Sequence, residues 1–270
     1  MIEGESIGGR VTLTVADGIA EARLDRPDKL NALDPAMFDA LAETGERLKR
    51  MSGLRAVVLH GAGRGFCAGL DMAAMAAGDD RVTSDLLARN HGIANLAQQA
   101  AFAWRGCPVP VIAAVHGVAF GGGFQIALGA DIRYVAPDAR LAILEIKWGL
   151  VPDMAGIALM RELARGDVIR ELAYTGRPFS GEEAVGYGFA TAAHADPLKA
   201  ARDTAREIAG RSPDAVRALK RLLNAAADLD TAAILLAESR EQAAIIGGPN
   251  QVEAVRAGFE KRAPTFVDPA

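Results

Sequence analysis

The stretch from Val111 to Val135, VIAAVHGVAFGGGFQIALGADIRYV, decides how this chain is read. An unbroken apolar run, VIAAV, ends at His116, and such a run bounded by a turn signal reads as a strand buried on both faces. Gly121, Gly122 and Gly123 follow, and a short helical pattern then starts with Gln125 as its first polar side chain. A strand, a bare glycine turn and a helix start leave main-chain N–H groups without intrahelical partners. Such a turn can cradle a phosphate or supply half of an oxyanion hole. The alternative is close backbone packing under a neighbouring element.

A second turn of the same kind lies upstream. RAVVLHG reads as a buried strand that runs into GAGRGFCAGLD, residues 61–71. Gly63-x-Gly65-x-x-Ala68 superficially matches a dinucleotide fingerprint, but the acidic residue expected at the end of a following strand is missing, and no GxxxxGK[ST] occurs. Two glycine turns, each after a buried strand, favour one shared oxyanion site that takes an N–H from each. Around them, VTLTV and IAEARLD read as strands joined at Asp17-Gly18. DPAMFDALAETGERLKRM reads as a helix with Asp34 as N-cap and Pro35 in the first helical position. A polar stretch, 78–91, leads into a helix through about Trp104, and IRYVA and LAILEI read as further strands. Strand-then-helix units recurring to about residue 195 predict a mostly parallel α/β core. From 197 onward only amphipathic helical segments appear, broken at SPD and GGPN. Residues 1–195 are therefore expected to form the core, and 196–270 a helical region for oligomerisation or a lid.

The chain has 270 residues, 50% of them hydrophobic, enough to bury a large core. A net charge of −4 without any long basic run argues against nucleic acid as a partner. No apolar run approaches the roughly 20 residues of a membrane span, and the acidic start lacks a signal-peptide core. Cys67 and Cys107, without CxxC spacing, read as buried thiols of a cytoplasmic protein. The histidines at 60, 91, 116 and 194 show no metal-ligand spacing, so no metal is expected, and His60 and His116 read as structural. No GxSxG occurs, which removes support for a serine nucleophile.

Acid–base chemistry then falls to carboxylates. Glu145 stands in the apolar segment LAILEIKWGL, where a carboxylate is costly to desolvate unless paired or working. The alternative is a glutamate pointing outward from an edge strand. Asp153, in GLVPDMAG, is a second candidate, or else the N-cap of the next helix.

With both turns and Glu145 in hand, the sequence resembles the crotonase superfamily, the enoyl-CoA hydratase/isomerase family. The likeness runs over nearly the whole chain: LDRPDKLNALDPAMFDAL, VVLHGAGRGFCAGLDM, PVIAAVHGVAFGGGFQIALGADIRYVAPDARLAILEIKWGLVPDMAG and AGFEKRAPTF. It implies a spiral of ββα units with an α-helical C-terminal region that assembles homotrimers or dimers of trimers. It also implies an acyl-CoA thioester as substrate, with coenzyme A arriving as part of it and no permanently bound cofactor. Leu70 and Gly122 would donate backbone N–H groups to the thioester oxygen, and Glu145 would be the acid/base. Lys29, Arg64 and Lys261 are the basic residues nearest the positions that meet CoA, Lys29 displaced by one residue and Lys261 from a neighbouring subunit, and Ala68 is assigned to CoA with them.

The departure is Gln125. Two-carboxylate hydratases of the family have a glutamate there, and an amide cannot take a proton near neutral pH. Dienoyl-CoA isomerases of the family carry a Glu and an Asp spaced as Glu145 and Asp153 are, with a further Asp where Gln125 stands. The expectation is therefore double-bond isomerisation, with Glu145 as main acid/base, Asp153 as partner and Gln125 as a polar orienting group. Hydration of 2-enoyl-CoA is the alternative, and acyl-CoA binding with little turnover is the third reading. Substrate choice is expected to be set within 72–104.

Overall fold

The computed structural model describes residues 2–76, 82, 84 and 86–269. Parts of the polar stretch and of the region expected to set substrate choice (77–81, 83 and 85) lie outside the described residues. β1 (Ile2–Ile7), β2 (Val11–Ala16) and β3 (Ile19–Leu24) form an antiparallel meander. The sequence suggested only the second and third of these. The first, IEGESI, has no β-branched run and is held as an edge strand by β2 alone. β4 (Ala56–Gly61), β5 (Val111–Val115), β7 (Ile132–Val135) and β10 (Ala192–Ala193) extend the sheet in parallel, giving the order β1-β2-β3-β4-β5-β7-β10. β6 (Val118–Phe120), β8 (Arg140–Ala142) and β9 (Phe179–Ser180) make a second, three-stranded sheet.

One correction concerns LAILEI. The expected strand stops at Ala142, because Leu144 turns to φ −102°, ψ −1°, and Glu145–Trp148 winds into a 3₁₀ turn closed by Gly149 at φ 68°. Glu145 thus starts a tight turn rather than ending an edge strand.

The helices cover both faces of the larger sheet. In α1 (Pro35–Arg50) Asp34 caps as expected, its side chain accepting from Met37 N at 2.9 Å. A five-residue helix, α2 (Met72–Ala76), follows the first glycine turn. α3 (Leu96–Arg105) packs on α1 so closely that a side chain at Gly45 would collide with the Ala103 Cβ at 2.5 Å. α4 (Gly122–Leu128) is entirely buried, and α5 (Gly156–Met160), α6 (Gly166–Thr175) and α7 (Gly181–Tyr187) follow. On the opposite face α8 (Pro197–Ala209) sets Ala201 and Ala205 against Ala56, Val58, Ile112 and Ala114.

α9 (Pro213–Ala226), α10 (Thr231–Ile245) and α11 (Pro249–Glu260) complete the helical C-terminal region. α9 is tied to the core by Lys220, whose Nζ donates to Val109 O at 2.9 Å and pairs with Asp131 at 2.7 Å. α10 differs from the amphipathic segments expected: none of its residues is buried and its apolar side chains do not gather on one face.

The parallel register is what positions a site. β4 and β5 pair in register, from Val57 with Val111 to His60 with Ala114, so the turns after both strands leave the sheet at the same carboxyl edge. In open parallel sheets that edge is where ligands bind.

Candidate active site

The two glycine turns are stitched to each other by main chain. Phe66 N donates to His116 O at 2.9 Å, Cys67 N to Val118 O at 3.0 Å, and Phe120 N back to Cys67 O at 3.0 Å. Gly69, at φ 85°, lies so near the second turn that a Cβ there would sit 2.7 Å from Phe120 O. Gly123 rests on Cys67: a Cβ would meet the Cys67 Sγ at 2.8 Å and its carbonyl oxygen nearer still. Glycine is required at both positions because two backbones share the space a side chain would fill. Among the described residues, neither the Leu70 N–H nor the Gly122 N–H has a hydrogen-bond partner. Both residues line one cavity of about 250 Å³, together with Gly69, Gly121, Glu145 and Trp148.

The facing wall includes the Glu145 side chain, which Gln125 holds without itself lining the cavity. Gln125 is 1% exposed and Glu145 8%. The Gln125 Nε2 donates to Glu145 Oε1 at 2.6 Å, and its Oε1 accepts from Met154 N and Gly156 N, each at 2.9 Å. Two backbone donors on one end fix which end of the amide is oxygen. Gly156 has to be glycine for this approach, since a Cβ would run into the Gln125 amide. On Glu145 one oxygen is thus taken by the amide, while Oε2 is buried without a partner among the described residues. Burial pushes the Glu145 carboxyl above its ordinary value, the charge of Asp153 adds to this, and the bond from Gln125 opposes it.

The structure overturns the helix-cap alternative for Asp153. α5 begins at Gly156 with Ala155, at φ 63°, in the cap position and no side-chain cap. Asp153 is exposed as a residue, yet partial burial of its carboxyl raises its pKa.

The remaining expected residues are spread around the site. Ala68 lines the cavity with Phe120, Leu144 and Leu150. Lys29 and Arg64 are exposed on the adjoining turns. The Asp71 carboxyl is held below its usual range mainly by the Ala74 N–H, then by Arg26 and, more weakly, Lys29. Lys261 is exposed at the end of α11, at φ 54°, and does not line the cavity. Of the two histidines next to the glycine turns, His116 Nε2 donates to Gly63 O at 2.9 Å, and His60 Nε2 lies 3.6 Å from Glu21 Oε2.

Sequence reasoning gave no role to Asn31 or Arg26. Asn31 is fully buried, with Nδ2 donating to the carbonyls of Ala62, Gly65 and Phe66 in the first glycine turn. The only signal for it was a polar residue inside the apolar LNAL.

The family model for enoyl-CoA hydratase/isomerase matches residues 14–269. The chain belongs to that family. It is 34% identical over 217 residues to the human mitochondrial Delta(3,5)-Delta(2,4)-dienoyl-CoA isomerase, a match covering 75% of this chain and 64% of that protein, less than two thirds of the relative's length. It is 32% identical over 261 residues to the carnitinyl-CoA dehydratase of Salmonella typhi, covering 94% of this chain and 97% of that one. The crystal structure of an enoyl-CoA hydratase from Bacillus anthracis superposes with a TM-score of 0.87 at 27% identity, over 95% of this chain and 98% of that one. The α/β crotonase fold with a helical C-terminal region is shared with such structures. Within the family's fold, the pocket described here lies between the two glycine turns and Glu145. Among the described residues no helix is long and apolar enough to cross a membrane.

Proposed function

We propose that this family member isomerises a double bond in an enoyl- or dienoyl-CoA, with Glu145 as the proton carrier. The observation that carries the reading is the state of Gln125. Both ends of its amide are committed to protein groups, so it offers no second base, and Glu145 Oε2 is left as the free buried carboxylate oxygen. For a 3-enoyl-CoA, the thioester oxygen would accept the N–H groups of Leu70 and Gly122. Glu145 Oε2 would take a proton from the carbon next to the thioester, the electron pair would pass into a dienolate, and the same carboxyl would return the proton two carbons further on. The product is the conjugated 2-enoyl-CoA. Removing one such backbone donor from an oxyanion site costs on the order of 10²–10³ in rate. Asp153, whose charge reaches Glu145, would assist with a dienoyl substrate.

Hydration or dehydration is the second reading, favoured by the likeness to carnitinyl-CoA dehydratase across 94% of the chain. It requires Gln125 or Asp153 to help hold a water that Glu145 activates. Lys29, Arg64 and Ala68 are assigned to CoA, with Lys261 reaching the site from a neighbouring copy. The exposed apolar side chains of the C-terminal helices, Leu235, Leu236, Val255 and Phe259 among them, support assembly into trimers or paired trimers through 196–270. The cytoplasm is the proposed location.

The test is a panel of 2-enoyl-, 3-enoyl- and 3,5-dienoyl-CoA esters, followed by the absorbance of the conjugated thioester. Conversion of 3-enoyl or 3,5-dienoyl esters without formation of 3-hydroxyacyl product is the expected result. Turnover of 2-enoyl-CoA to the 3-hydroxy thioester would replace isomerisation by hydration, and binding of all esters without turnover would reject both.

A further inference from the structure

We propose that Arg26, acting through Asp71, and Asn31 are positioning residues that aim the Leu70 N–H at the thioester oxygen, although neither side chain lines the cavity. The proposal rests on the reading that Leu70 is an oxyanion donor. The donor sits in a short parallel ladder. Ala68 N donates to Leu30 O at 3.0 Å, Leu33 N to Gly69 O at 2.8 Å, and Asp71 N to Leu33 O at 2.9 Å. Parallel pairing uses the Gly69 carbonyl before Leu70 and the Asp71 N–H after it, and turns the N–H of Leu70 itself to the opposite side, toward the cavity. The aim of that N–H is therefore set by where residues 30–33 stand.

Those residues are in a costly conformation. Leu30 and Asn31 have φ of 49° and 56°, a region that side chains other than glycine rarely adopt. Asn tolerates it best, because its side chain can bond to nearby backbone. Asn31 does so with its whole amide: Oδ1 accepts from Arg26 N at 2.8 Å, and Nδ2 donates to Ala62 O and Gly65 O at 2.9 Å and to Phe66 O at 3.2 Å. This secures the start of the turn.

Its end is secured by charge. Asp71, directly after the donor, accepts from Ala74 N at 3.1 Å with Oδ1 and pairs with Arg26 Nη1 at 2.8 Å with Oδ2. The same Arg26 nitrogen donates to Ala32 O at 3.1 Å and faces Asp34 at 3.7 Å, and Asp34 is itself held by Arg10 at 2.7 Å. The side chains of Arg26 and Asp71 are only 16% and 13% exposed, so solvent screens their pairing little. One guanidinium thus joins both strands of the ladder without lining the cavity.

The experiment compares Arg26→Met, Arg26→Lys and Asp71→Asn. Asparagine keeps an oxygen for the Ala74 N–H while discarding the ion pair, so α2 retains its cap. A misplacement of about 1 Å can cost on the order of 10² in rate. We expect kcat to fall about tenfold to a hundredfold in Arg26→Met and Asp71→Asn, with KM nearly unchanged and partial recovery in Arg26→Lys. The double variant should be no slower than Arg26→Met, which already removes the ion pair with Asp71. A second readout uses acetoacetyl-CoA, a 3-ketoacyl thioester that enolises readily and whose enolate absorbs in the near ultraviolet. The wild-type protein should raise the bound enolate fraction, and Arg26→Met and Asp71→Asn should lower it in step with kcat. If the wild-type protein fails to raise it, the oxyanion reading falls and this proposal with it. If it does raise it and the variants match it, whatever their kcat or thermal stability, Arg26 and Asp71 do not position the donor.

Discussion

The cavity has one wall of main chain and one wall of side chains, and the two are fixed in different ways. On the main-chain side, Leu70 and Gly122 present N–H groups from turns whose glycines are pressed against the other backbone, Gly69 on Phe120 and Gly123 on Cys67. On the side-chain side, Glu145 lines the cavity and is held by Gln125, which does not line it, through a hydrogen bond that other residues of similar shape could replace. The first wall permits little change without disturbing the fold. The second can change its chemistry while the fold stays, which fits a family whose members are named as isomerases, dehydratases and hydratases.

Perturbing each wall tests the contrast. The largest effect should come from Glu145→Gln: loss of a general acid/base typically costs about 10²–10⁴ in rate. Its unfolding midpoint in urea should stay equal or rise, since the amide removes a desolvated carboxylate. A large loss of stability would place Glu145 with the structural wall. Next comes Gly123→Ala, whose methyl would enter the space of the Cys67 backbone. Forced overpacking of this kind costs about 1–3 kcal/mol. Gly122→Ala should cost less, because its methyl would meet the movable ends of Met154 and Leu33. Equal costs would mean that the wall yields more readily than its geometry implies.

Gln125→Glu sharpens the comparison from the other side. It would set two carboxyls where Nε2 and Oε1 now stand 2.6 Å apart, so the pair should hold one proton well above the usual carboxylate range. Hydration of 2-enoyl-CoA should rise relative to isomerisation in this variant, and the ratio of products measures it.

The smallest effect is the pH dependence of the unaltered protein. The folded-state pKa of Glu145 lies above the ordinary 4.5. Its contribution to stability is therefore fully present below the unfolded value and lost as pH rises through the folded one. Activity runs the opposite way, because the base must be ionised. The acid limb of kcat/KM should therefore lie above 4.5, and a limb at or below it would remove the case for a desolvated base.

Much of this was legible in the sequence, and the part that was not has a physical reason. Buried strands followed by glycines pointed to the two turns because strand burial and turn chemistry are local properties, while Leu70 and Gly122 were singled out within them by the family resemblance. Glu145 stood out because a carboxylate in an apolar segment needs an explanation. Its backbone was misread, since LAILEI has the composition of a strand and nothing in it announces the turn at Leu144. Asp153 is of a residue type that favours N-caps, yet the chain delays the helix by two residues while Met154 and Gly156 give their N–H groups to Gln125. Asn31 and Arg26 could not be assigned because their partners lie about thirty to forty-five residues away, a separation at which no periodicity speaks.

α8 has a consequence for how the protein is made. The sheet face formed by Ala56, Val58, Ile112 and Ala114 is covered by Ala201 and Ala205. Ribosomes add about 5–20 residues per second, so roughly eighty residues separate completion of β5 from arrival of its cover, a delay of several seconds. During that interval the nascent chain carries a bare apolar face, and a chaperone that shields it would be of most use before α8 emerges.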